Sequence, residues 1–119
     1  MNYKTAITSI GSEVMDFLQD NMLIVFNENA PEGLAEISIL HTIAPFEKEI
    51  SVGDRVVFGA NAYDVTGIGT EANKTMKTLG HCTFVFCGEE KAEAPGQVCL
   101  EKKPAPELKV GDTLEIHYQ

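Results

Sequence analysis

Three histidines, His41, His81 and His117, are the side chains of this 119-residue chain best suited to carry a group at neutral pH. Counting by twos places His41 with Ile37, Ile39 and Ile43, a polar ring on an otherwise apolar strand face. That position reads two ways. It suits a core histidine with ring nitrogens bonded to backbone, or a neutral nucleophile with one nitrogen fixed and the other facing a pocket. His81 directly follows Leu79-Gly80, and Gly80 would let another backbone or a phosphate come close. It reads either as a sheet-edge residue or as one that supports an anionic reaction centre. His117 alternates with Thr113 and Glu115, opposite Leu114 and Ile116, and so belongs to a solvent-facing side.

Other chemistry finds little support. The sequence has no Gly-x-x-x-x-Gly-Lys-Ser/Thr loop, no Gly-x-Ser-x-Gly elbow and no His-Glu-x-x-His helix. Gly67-Ile68-Gly69 lacks the third glycine and the βαβ setting of a dinucleotide site. A zinc site built from His41, His81 and Cys82 is awkward, because consecutive strand residues point to opposite faces. We therefore expect no cofactor and no metal. Cys82, Cys87 and Cys99 form no Cys-x-x-Cys pair, and an odd number fits reduced thiols.

The elements that must position these residues are mostly strands. Period-two alternation and β-branched enrichment predict strands at Tyr3–Ser9, Met22–Asn27, Glu36–Ile43, Asp54–Phe58, Ala62–Ile68, His81–Cys87, Gln97–Glu101 and Thr113–Tyr118. Two short helices interrupt them. Ser12 is expected to cap the first, with Val14, Phe17 and Leu18 on one face. Thr70 is expected to cap the second, Glu71 to Leu79, with Met76 and Leu79 buried and Gly80 as its stop. Val52-Gly53-Asp54 and Val110-Gly111-Asp112 each introduce an alternating strand, in the manner of barrel turns. Short strands at close spacing favour a small all-β barrel, since closure removes exposed edges.

Composition limits the partners. With 18 acidic against 9 basic residues the chain carries a net charge of −9. It repels nucleic-acid backbones and anionic lipid surfaces alike. No apolar run approaches bilayer-spanning length, and no apolar stretch follows Met-Asn-Tyr-Lys-Thr at the start, so a single cytoplasmic domain over residues 1–119 is expected. Residues 28–49 hold five glutamates, Glu28, Glu32, Glu36, Glu47 and Glu49, against Lys48 alone, an acidic rim beside His41.

In order along the chain, Asn21-Met-Leu-Ile-Val-Phe26, Ala30-Pro-Glu-Gly-Leu-Ala-Glu36 leading into Ile39-Leu-His41, and Tyr63-Asp-Val-Thr-Gly-Ile-Gly69 carry a resemblance. Leu79-Gly-His-Cys-Thr-Phe-Val-Phe86 and Ala92-Glu-Ala-Pro-Gly-Gln-Val98 extend it over nearly the whole sequence. The chain resembles the glucitol/sorbitol-specific enzyme IIA component of the bacterial phosphoenolpyruvate-dependent sugar phosphotransferase system. The resemblance implies a closed β-barrel of mixed topology with one or two short helices, and a phosphoryl relay without metal or nucleotide. It implies that His41 accepts phosphate from the phosphocarrier protein HPr and passes it to a cysteine of enzyme IIB, which serves the membrane subunit IIC of a sorbitol transporter. His81 would then stabilise the phosphoryl group. The alternative reading is a non-catalytic β-barrel binding or regulatory module.

Overall fold

Side chains that alternate between wet and dry along short strands can bury their dry sides together only if the sheet curls. Here it curls until it closes. The computed structural model describes residues 2–119, with Met1 outside the description. Its elements are β1 (Tyr3–Ile10), α1 (Val14–Gln19), β2 (Met22–Asn27), α2 (Glu32–Ala35), β3 (Ser38–His41), β4 (Arg55–Phe58), β5 (Asn61–Ile68), α3 (Ala72–Leu79), β6 (Cys82–Phe86), β7 (Gln97–Leu100) and β8 (Thr113–His117). The strands form a closed barrel in the order β1-β3-β2-β6-β7-β5-β4-β8. The β2–β3 and β6–β7 pairs are parallel and the others antiparallel, which makes the topology mixed. No helix of the described residues is long and apolar enough to cross a membrane.

The interior is filled by the inward set of each strand, among them Tyr3, Ile7, Leu23, Val25, Ile39, Val56, Val65, Leu114 and Ile116. At its centre Phe58 meets Phe84 edge to face at 5.4 Å, and Tyr63 meets Phe86 at 4.8 Å. Such pairs add to the area they bury. Cys82 and Cys99 are buried and all three thiols are free. Burial, together with a hydrogen bond that the Cys99 thiol donates to Cys87, pushes the Cys99 thiol up to about 12.

The chain folds as two similar halves. Exchanging β1–β4 for β5–β8 leaves the cyclic strand order unchanged, as an approximate two-fold axis requires. The connections repeat as well. Gly53 N donates to Val65 O while Val65 N donates to Asp54 O; Gly111 N donates to Ile7 O while Ile7 N donates to Asp112 O. Both glycines hold φ near +98°, at 98° and 97°. The paired Val-Gly-Asp motifs are thus the visible trace of a repeat that spans the fold.

Several expectations are corrected. Glu13 and Glu71, not Ser12 and Thr70, stand at the helix starts, and neither makes a side-chain cap. Their N–H groups bond instead to the carbonyls of Glu36 and Pro95, so distant loops supply what a cap would. Leu79 is 44% exposed, because the buried stripe of α3 is the i, i+4 pair Ala72 and Met76 and the last residue overhangs it. The unforeseen helix α2 occupies residues expected before β3, which is therefore four residues long and excludes Glu36, Ile37, Thr42 and Ile43. Likewise β6 begins at Cys82, one residue after His81.

Candidate functional site

His41 closes β3, and every residue of that strand is buried. Its ring is wholly inaccessible, at 0% exposure. Ile39 shares its side of the strand in the core, whereas Ile43 lies outside at 58% exposure, so the apolar face stops at the histidine. Both ring nitrogens stand against backbone carbonyls. Nδ1 lies 2.9 Å from Thr42 O, and Nε2 lies 2.8 Å from Gly80 O.

The two carbonyls are held differently. Thr42 belongs to the barrel wall: its N–H donates to Ala6 O at 2.9 Å, and its hydroxyl accepts from Ala6 N at 3.0 Å. Gly80 belongs to the left-handed turn that ends α3, at φ 62° and ψ 29°. A neutral imidazole has one N–H and satisfies only one of the two carbonyls. The other nitrogen then carries the lone pair that nucleophilic chemistry needs.

His81 follows at the next residue, so the carbonyl on Nε2 belongs to the peptide that joins Gly80 to His81. The His81 ring is half-buried, packs on Phe26 with centroids 4.7 Å apart, and places Nδ1 3.0 Å from Val25 O. That carbonyl accepts from Nδ1–H and so selects the tautomer whose Nε2 is unprotonated in the neutral ring. The structure thus brings His41 and His81 to one turn. It does not bring Cys82 with them, since that thiol points into the core. No group of three His, Cys, Asp or Glu side chains suited to a metal occurs among the described residues.

His117 stands apart on β8, where its Nε2 lies 2.9 Å from Glu115 Oε1. Hydrogen bonds from His117 and Thr113 hold the Glu115 carboxyl below its ordinary value. The acidic rim divides as well. Glu28 N donates to His41 O, which places that residue at the site. Glu47 and Glu49 instead line a groove with Lys48, Glu71, Lys74 and Lys77, where acids and bases balance. The sequence reading missed Asn27, the register partner of His41 across the parallel β2–β3 ladder. A parallel register between strands separated by a helix leaves no mark in the sequence that could have found it.

The profile of the family described as "PTS system glucitol/sorbitol-specific IIA component" matches residues 2–115. Proteins named "PTS system glucitol/sorbitol-specific EIIA component" from Escherichia coli (strain K12) and Shigella flexneri are each 34% identical over 114 residues, covering 96% of this chain and 93% of theirs. The barrel is also similar to the crystal structure of a PTS system IIA component from Enterococcus faecalis V583, with a TM-score of 0.84, 24% identity and 98% coverage of both chains; that likeness bears on the fold. With its profile match over 2–115 and these relatives along nearly the full length, the chain belongs to the family of PTS glucitol/sorbitol-specific IIA components.

Proposed function

We propose that this protein is a cytoplasmic phosphoryl carrier that accepts phosphate from phospho-HPr on His41 and hands it to the cysteine of enzyme IIB, for uptake of a glucitol-type polyol through subunit IIC. The observation that carries the reading is the ring of His41, held between two backbone carbonyls at a turn that also bears His81. We assign Nε2 as the accepting atom. Nδ1–H donates to Thr42 O, which the barrel wall fixes, and Nε2 meets only the carbonyl of a glycine turn.

The Nε2 lone pair forms the new N–P bond while the donor's N–P bond breaks and its electron pair leaves on the donor imidazole. No net proton is consumed. Transfer onward reverses the roles, with the IIB thiolate as the attacking group. Catalysis in such a displacement lies in alignment and in stabilising charge spread over the phosphoryl oxygens. His81, one residue from the Gly80 carbonyl, stands beside that charge as the supporting group.

The complete burial of His41 supports the second reading, a non-catalytic barrel whose histidine only ties strands together. One experiment separates them. Incubation with phosphoenolpyruvate, enzyme I and HPr should add one phosphate of mass to the wild type, mapped to His41 and labile in acid but stable in alkali. His41→Gln should gain none. An unmodified wild type, or a phosphate on another residue, would sink the carrier assignment.

A further inference from the structure

Gly80 leaves a notch beside the His41 ring. A Cβ at that position would press first on Asn27 Oδ1, then stand 2.5 Å from Asn27 Cγ and 2.9 Å from His41 Cε1, nearer than side chains come. The carboxamide of Asn27 and the ring carbon between the two nitrogens of His41 therefore border one point. Asn27 ends β2 and pairs with His41 in the β2–β3 ladder, so both side chains leave the sheet on the same face. It is half-buried, unlike the enclosed ring beside it.

A second observation is independent of that geometry. In the two-fold-related corner the same register pairs Phe86 with Leu100, both buried. The fold accepts an apolar pair at these two positions, so packing alone does not call for an amide. Asparagine appears where the histidine does.

We propose that Asn27 is a catalytic residue of the transfer described above, donating a carboxamide N–H to a non-bridging oxygen of the phosphoryl group as it arrives on His41 Nε2. The proposal rests on the His41 reading. An amide suits an acidic rim, because it binds an anionic oxygen without titrating, and a half-turn of the group exchanges its carbonyl and amino branches. Asn27 keeps both amide protons while the donor's N–P bond breaks and the Nε2–P bond forms. Access requires the Gly80 carbonyl to leave Nε2. Rotating the Gly80–His81 peptide at positive φ takes the backbone into a region that glycine alone occupies readily, which ties the glycine to the same event.

The test is the rate of phosphoryl transfer from phospho-HPr to wild type, Asn27→Ala, Asn27→Ser and Asn27→Asp, with folding checked by circular dichroism and the thermal midpoint. Alanine should slow transfer by about 10²-fold, the effect of losing one donor at a developing charge. Serine, which keeps a donor, should fall between alanine and wild type. Aspartate has the shape of asparagine but opposes the phosphoryl charge, and should be slower than alanine by about another 10-fold. A purely structural asparagine gives the reverse order, since aspartate preserves packing and alanine does not. Aspartate matching or exceeding alanine, or every variant at the wild-type rate, overturns the role of Asn27 alone. A wild type that takes no phosphate on His41 overturns the carrier reading and this proposal with it.

Discussion

The corner around His41 and its two-fold counterpart around Leu100 share strand register, parallel pairing and a positive-φ residue where a helix hands over to a strand. Asn27 pairs with His41 beside Gly80 at φ 62°; Phe86 pairs with Leu100, and Asn21 holds φ 60°. The helices repeat too, burying Val14 and Leu18 in α1 and Ala72 and Met76 in α3. What differs is the chemistry of the side chains. One corner holds histidine, asparagine and a bare glycine; the other holds leucine, phenylalanine and a side chain at the turn. The comparison separates what the barrel needs, which is bulk at two register-paired positions, from what a reaction needs.

The largest effect expected from that contrast comes from installing the counterpart residue. His41→Leu should abolish phosphorylation by phospho-HPr while the barrel stays folded, because leucine already fills the equivalent place. Mass spectrometry and a melting curve check both halves of the statement. A variant that fails to fold would mean that the two carbonyls around His41 are a structural requirement, and that the corners are less alike than their register.

Gly80 gives the next effect. Gly80→Ala adds a Cβ at a left-handed φ and presses it against Asn27 and His41, which should cost about 2 kcal/mol or more in urea unfolding. Gly96→Ala, at a glycine with open space around it, is the control. Gly80→Asn tells φ from crowding, since Asn21 shows that asparagine accepts the backbone. Wild-type stability in Gly80→Asn would remove the crowding argument.

The smallest effect lies far from either corner. Glu115 has a folded-state pKa lowered from 4.5 by its bonds with His117 and Thr113. A lowered carboxyl stabilises the fold above the unfolded value, and the contribution is lost as pH falls through the carboxylate range. Glu115→Gln should therefore cost less than about 1 kcal/mol at neutral pH, with the gap to wild type closing in acid. His117→Gln should leave transfer to His41 unchanged, whereas any slowing would draw β8 into the reaction.

The strands were legible because their inward sets alternate strictly: Cys82, Phe84 and Phe86 in β6, Leu114 and Ile116 in β8. All eight predicted strands are present, shifted by a residue or two at most ends. The closed, mixed barrel followed from the turns and the family resemblance together. Less legible was whatever depends on distant backbone. Helix α2 is four residues long with none buried, so it leaves no periodic trace. Helix starts satisfied by Glu36 and Pro95 carbonyls cannot be read from the local residues Ser12 and Thr70. The repeat was glimpsed at Val-Gly-Asp alone, since a two-fold fold requires matching shapes and not matching letters. The phase with Ile39 placed His41 on the buried face and the family resemblance suggested its role, but Asn27 and the Gly80 carbonyl reach it through tertiary register.

Closure of the barrel also sets an order of events in time. The hydroxyl of Thr5 on β1 donates to Leu114 O on β8, 109 positions away, and β1 in turn flanks the strand that carries His41. A growing polypeptide cannot form that seam until β8 is made, and joining such distant segments is the slow step of β topologies. The corner around His41 therefore acquires its full wall only after β8 has been made. Immature chains lack the β8 support on which Ala6, Thr42 and the fixed side of the imidazole depend.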